Sequence, residues 1–144
     1  MTKHHLLIVE PGEDMQELYK SIFNKHQNEF TVQIVRSGEA ALEFMEHSSV
    51  DLLLLSWTLP LIPASDVLQV LRAKNKTRNL PVVVMADALL DEDRVEALRL
   101  GADHYQAKGF NPEALLARIR QLLPREVPPR NILTSLLLCF PISI

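Results

Sequence analysis

Five short apolar runs alternate along the chain with segments whose apolar positions recur every three or four residues. The runs are His5–Val9, Phe30–Val35, Leu52–Leu55, Val82–Met85 and His104–Ala107. The third belongs to the stretch VDLLLLSWTLPLIP, Val50 to Pro63, in which four leucines follow Asp51 and Ser56 closes the run. A continuous apolar run of this length, ended by turn chemistry, suits a central parallel strand buried on both faces. Between the runs, Met15, Leu18, Tyr19, Ile22 and Phe23 share one side of a helix over Glu13–His26,. Ser37 is a natural N-cap for Gly38–Glu46, with Ala41, Leu42 and Met45 facing inward,. Val67, Leu68 and Leu71 mark a helix from about Ser65 to Ala73, and Lys74–Asn79 is a polar loop. Asp91 is expected to cap a helix that Gly101 ends, and Asn111 followed by Pro112 starts a last helix reaching about Leu123,. Strands alternating with helices imply parallel pairing through right-handed crossovers. The predicted fold is α/β, a flavodoxin-like doubly wound five-stranded parallel sheet with five helices.

Composition narrows the function classes. With 144 residues the chain is one domain, and its net charge of −3 gives no electrostatic case for nucleic acid,. The single cysteine, Cys139, excludes an internal disulfide and fits a reducing compartment,. The start MTKHHLLIVEPGED has too short an apolar core for a signal peptide, and no stretch approaches a membrane span,. A cytoplasmic protein is expected. The domain boundary falls after Pro124: residues 125–144 comprise a Pro-rich linker, REVPPR, and fourteen residues without a charge, NILTSLLLCFPISI. That segment reads as a tail that packs on the domain or stays poorly ordered, or as a dimer-forming element.

In an open α/β sheet the carboxyl ends of the strands line the ligand crevice, so Ser56 sits at the exit that matters most. The order of elements, the strand-three exit with Trp57, Leu59 and Pro60, and above all DRVEALRLGADHYQAKGFNPEALLARIRQLL (Asp93 to Leu123) resemble the receiver domain of bacterial response regulators. Residues 5–123 are covered, and the closing third looks like receivers that carry a winged-helix DNA-binding domain. The resemblance implies phosphoryl transfer from a histidine kinase onto an aspartate. It also implies an acidic pair for Mg²⁺, a Thr or Ser after strand four, and a Lys after strand five.

Transferred onto this sequence, most of that set is missing. The acidic pair falls on Glu10 and Pro11, the phosphoacceptor on Ser56, the hydroxyl position on Ala86 and the lysine on Lys108. The aromatic switch position is Tyr105, the small glycine after strand three is Ala64, and the proline after the lysine is Gly109. The family's Lys–Pro bond is usually cis; Gly109 predicts a trans bond. One metal carboxylate is too few for Mg²⁺, and a serine hydroxyl without a base is a weak nucleophile. Hence the expectation: a pseudo-receiver, not an enzyme, with no cofactor or resident metal and a vestigial pocket of Glu10, Pro11, Ser56, Ala86 and Lys108. Its work is signalling through protein partners.

Other readings stay open beside it. Phosphate is accepted at an alternative acid, Asp14 or Asp87, or the former pocket binds a small ligand through Glu10, Ser56 and Lys108. Against these stand a structural Ser56 bonded to backbone and a Glu10–Lys108 ion pair. Glu13 and Asp14 in a first helical turn are ordinary dipole partners, and His4 and His5 point to opposite faces of a strand. His26, His47 and His104 are scattered, and Lys74, Lys76 and Arg78 read as a solvated loop. In the family, the face of helix four, strand five and helix five carries a homodimer through charged pairs. Arg94, Asp103 and Arg118 match that set, while His104 and Ala114 replace acids.

Overall fold

The computed structural model describes residues 3–124. The segment 125–144, with the expected linker and apolar tail, lies outside the described residues. The elements are β1 (His4–Val9), α1 (Glu13–Asn24), β2 (Phe30–Val35), α2 (Gly38–His47) and β3 (Leu52–Ser56). They continue with α3 (Ala64–Ala73), β4 (Val82–Ala86), α4 (Asp91–Arg99), β5 (His104–Ala107) and α5 (Pro112–Leu122). All strand pairs are parallel, in the order β2-β1-β3-β4-β5. The predicted doubly wound sheet is therefore the observed one, with the leucine run at its centre and Leu52–Leu55 fully buried.

The alternation of side chains along each strand splits the core into two layers. Leu7, Val9, Leu53, Leu55, Val82 and Val84 face α2, α3 and α4, meeting Ala41, Met45, Val67, Leu68 and Leu71. Leu6, Ile8, Leu52, Leu54, Val83 and Met85 face α1 and α5, meeting Tyr19, Phe23, Leu115, Leu116 and Ile119. Gly38 lets α2 approach α3, since a Cβ there would stand 2.6 Å from Val67 Cγ2. Each helix end has a physical cause. Ser37 accepts from Ala40 N–H, and Asn111 accepts from Glu113 and Ala114 N–H ahead of Pro112,. Gly101, at φ 109°, closes α4: its N–H donates to Leu98 O while Ala102 N–H donates to Ala97 O,.

Three expectations need correction. Leu18 is 41% exposed, and the buried position on that side of α1 is Gln16, whose amide nitrogen donates to Glu10 O at 2.7 Å. A buried amide is tolerated there because it has a backbone partner, which a hydrophobic pattern does not register. Asp91 is the first residue of α4 and does not cap it; Leu90 occupies the N-cap without a side-chain bond. Asp91, Glu92 and Asp93 instead place three acids against the positive end of the helix dipole,. The loop after α3 is also more than solvated: Lys76 donates to Met45 O at 2.7 Å, and Thr77 is buried with its hydroxyl donating to Leu71 O. Among the described residues, no helix is long and apolar enough to cross a membrane.

Candidate functional site

The carboxyl ends of β1, β3, β4 and β5 open into a cleft of about 590 Å³ bordered by Glu10, Pro11, Glu13, Asp14, Thr58, Asp87 and Lys108. Glu10 leaves β1 and turns back into the protein, where only 2% of it is exposed. Its Oε2 accepts from Gly12 N–H at 2.9 Å, and its Oε1 lies 2.9 Å from Lys108 Nζ without a hydrogen bond of regular geometry. Burial and the charge of Glu10 together raise the phenol of Tyr19, beneath the cleft, above its ordinary value. Lys108 reaches Glu10 from β5, two strands beyond the centre, and its backbone N–H is held by Ala86 O at 2.8 Å. The expected Glu10–Lys108 pair thus forms, but it is not exclusive. Asp87, on the loop after β4, stands 3.5 Å from the same ammonium.

Ser56 does not border this cleft. It is 1% exposed, and its hydroxyl donates to Thr58 O at 3.3 Å, closing the turn that follows β3. Three residues past Thr58, the loop carries Leu61 at φ 67°, a left-handed conformation on an 83%-exposed leucine. Magnesium wants several hard, anionic oxygens at once. Here Glu10's two oxygens are engaged by Gly12 and Lys108, Pro11 has no side-chain donor, and the Ser56 hydroxyl is spent on a carbonyl. Among the described residues no group of three or more His, Cys, Asp or Glu side chains gathers as a metal set, Glu13 and Asp14 included. These residues do not fit the divalent cation.

Ala86, 3% exposed, ends β4 with no polar side-chain atom. Tyr105 is packed inward beside it in the same cluster, 6% exposed, with its hydroxyl donating to Ala88 O at 3.1 Å. Burial, then the charge of Asp93, raises its phenol above the ordinary value. Phe110 N–H donates to Lys108 O at 2.8 Å across Gly109, a three-residue turn, and no cis peptide occurs among the described residues,. A Cβ on Gly109 would meet nothing within 4 Å. Phe110 then stacks on Tyr19, ring centroids 6.0 Å apart.

The face of α4, β5 and α5 brings the charged set only partly together. Arg94 is exposed on α4, and Arg118 is half-buried, its guanidinium donating to Gln121 Oε1 at 3.0 Å. Asp103 is occupied within the chain: Oδ2 accepts from Val82 N–H at 2.8 Å and from Arg72 Nη2 at 3.3 Å. Arg72 in turn holds Gly101 O at 2.7 Å. Partial burial, then the Arg118 charge, lowers His104 below its ordinary value, against an opposing bond with Gln106. What the charge pattern did not reveal is an apolar surface: Leu89, Leu90, Val95 and Leu98 are 62, 50, 57 and 39% exposed.

Comparison with known proteins identifies the fold that carries this site. Residues 6–120 match the response regulator receiver domain family. The chain is 36% identical over 120 residues to the transcriptional regulatory protein CpxR of Escherichia coli K12, covering 83% of this chain and 49% of that protein. It is 30% identical over 139 residues to the phosphate regulon transcriptional regulatory protein PhoB of Rhizobium meliloti, covering 96% and 60%. The chain therefore spans about half the length of these curated relatives. The activated N-terminal receiver domain of Klebsiella pneumoniae RstA superposes with a TM-score of 0.76 at 26% identity, over 85% of this chain and all of that one.

Proposed function

The chain belongs to the family of response regulator receiver domains, and from that premise we propose that it is a pseudo-receiver, a two-component signalling domain that acts by protein contact without carrying a phosphoryl group. The observation that supports this most is the state of Ser56. At the exit of the central strand, where the family places its acceptor carboxylate, a buried hydroxyl is bonded to Thr58 O. Beside it Lys108 serves as the internal counter-ion of Glu10, the one acid left of the metal pair. With Ala86 at the end of β4 there is no hydroxyl to couple a phosphate to Tyr105, whose inward position is held by Ala88. The output surface is thus set by packing, and the domain signals constitutively or under some control other than an aspartyl phosphate. It is not an enzyme, and it works in the cytoplasm.

Incubation with acetyl phosphate and Mg²⁺ is expected to leave the intact mass unchanged. A stable gain of one phosphoryl group overturns the reading. One observation favours a second reading: Asp87 is 69% exposed and 3.5 Å from Lys108, so a gain mapped to Asp87 would make the domain a competent receiver with a displaced acceptor.

The contact surface is the α4–β5–α5 face, where the exposed Leu89, Leu90, Val95 and Leu98 meet a protein partner or a second copy, flanked by Arg94 and Arg118. A chain that stays monomeric at tens of micromolar by sedimentation argues against the homodimer. A dimer weakened by Arg118→Glu supports it.

A further inference from the structure

The sheet has a second edge, at the far side from the α4–β5–α5 face. β2 lies there, paired only with β1 among the described residues. His4 N–H donates to Glu29 O and Glu10 N–H to Val35 O, which fixes the side on which each backbone group of β2 falls. Residues 31, 33 and 35 turn their N–H and C=O groups to β1, so Phe30, Val32 and Ile34 turn theirs outward,. A strand can guard such an edge with a charge, a proline, a bulge or extreme shortness. β2 carries none of these. FTVQIV is six residues without charge or proline, and its register with β1 runs unbroken from Phe30 to Val35.

The strand is also its own complement. Phe30, Val32 and Ile34 form the row toward α1, and Thr31, Gln33 and Val35 the row toward α2,. Turned antiparallel about a twofold axis through Val32, two copies oppose Val32 to Val32, Phe30 to Ile34 and Thr31 to Gln33. Apolar then meets apolar, and uncharged polar meets uncharged polar. A shift to the next allowed register sets Phe30 against Arg36 or Ile34 against Asn28. Charge favours the same direction. Glu29 precedes the strand and Arg36 follows it, so antiparallel copies lay an acidic end beside a basic one, where parallel copies align like with like,. Both ends have partners within the chain, Glu29 in Arg120 at 2.8 Å and Arg36 in the exposed Glu13 at 3.3 Å, so they set direction more than strength. Open grooves of about 670 and 330 Å³ flank the edge on the α1 and α2 sides, banked by polar residues such as Lys20, Asn24, Ser48 and Ser49. Polar banks around a backbone ladder have the character of an interface rim.

We infer that the outer edge of β2 is a self-association edge: two copies of the chain pair β2 to β2, antiparallel and centred on Val32, into one continuous sheet. The two Val32 residues exchange both backbone bonds across the axis, and Phe30 and Ile34 do so on either side of it. A twofold contact of this kind uses up the edge in both copies, so assembly closes at the dimer. The α4–β5–α5 face lies at the far edge of each copy and stays open. The inference does not rest on the reading proposed for that face.

Sedimentation of the full chain at tens to hundreds of micromolar tests it. A monomer–dimer equilibrium is expected, and Arg118→Glu should leave it unchanged. Thr31 and Gln33 are exposed, so substitutions there spare the fold and read the register. Thr31→Lys with Gln33→Lys sets lysine opposite lysine and should weaken the dimer at least about tenfold, as should Thr31→Glu with Gln33→Glu. An equimolar mixture of these two variants should dimerise again, since each lysine then opposes a glutamate. Val32→Pro removes an N–H that β1 does not use and should give a folded monomer,. A wild-type chain that stays monomeric throughout overturns the inference. So does a dimer that survives both charge variants, a mixture that stays monomeric, or a dimer lost to Arg118→Glu. Slow amide exchange at Val32 and Ile34 in a monomer also overturns it, by assigning the edge to another part of the same chain.

Discussion

Replacing Lys108 with methionine tests the pocket most directly. Among the described residues the ammonium is the only cation near Glu10 Oε1, at 2.9 Å, and the Glu10 side chain is 3% exposed. Without it a carboxylate stays in the protein with one oxygen satisfied by Gly12 and the other facing an alkyl chain. Breaking a buried pair from one side costs about 3–5 kcal/mol, because the stranded charge has lost both water and partner. The reverse change is cheaper. In Glu10→Gln, Lys108 keeps Asp87 at 3.5 Å and its 13% exposure to water, and the amide oxygen can still accept from Gly12. A loss of about 1–2 kcal/mol is expected, the scale of one unsatisfied polar contact. The double substitution leaves no ion stranded and should lie below Lys108→Met alone, with a coupling of at least about 1 kcal/mol. Urea unfolding of all four proteins, compared at equal m-values, gives these differences. Coupling within about 0.5 kcal/mol of zero would refute the argument, as would Glu10→Gln costing more than Lys108→Met.

Further outcomes are specific to single positions. Leu61→Asn should stabilise by about 1 kcal/mol, since it removes a left-handed leucine that is 83% exposed and so has little packing to lose; a lower urea midpoint would contradict this,. Gly38→Ala should destabilise by about 1–3 kcal/mol despite the better helix former, because its methyl would stand 2.6 Å from Val67 Cγ2; an unchanged midpoint would show that α3 yields freely,. His104 has a folded pKa below its ordinary value, so the unfolded chain binds its proton first as pH falls,. Its contribution is whole above the unfolded pKa of about 6.5 and declines as pH drops toward the folded one. A thermal midpoint followed from pH 8 to pH 5 should fall less in His104→Asn than in the parent, and equal slopes would remove His104 as the cause.

The sheet was legible because each signal behind it is local: runs of apolar residues, Ser37 and Asn111 as caps, Gly101 as a stop. The chemistry at the strand ends was legible as positions: Glu10 and Lys108 stand at the cleft as a pair, while Ser56 is buried in the turn after β3 and does not border it. Their partners were not. Nothing near Lys108 in sequence shows that Asp87, from a different loop, shares its ammonium. Asp103 reads as a surface acid until Arg72, thirty-one residues earlier, is found against it. Gln16 has no place in an apolar pattern because its merit is a single bond to the carbonyl of Glu10. The exposed Val95 and Leu98 of α4 were hidden for the opposite reason. Apolar positions there suggest core, and only the assembled sheet shows that Ala97 alone of that helix is buried.

The internal use of Asp103 sets how this domain must respond to salt. A carboxylate that holds Val82 N–H and Arg72 is a strut between β4, α3 and β5, and it is withdrawn from any charged pairing in the contact proposed for this face. In the proposed contact, attraction then falls to Val95, Leu98 and their apolar neighbours, which ions in solution do not screen,. Exclusion of strongly hydrated salts from such a surface favours its burial. Association by this domain should therefore hold or tighten as sulfate is raised, where a face built on ion pairs would come apart.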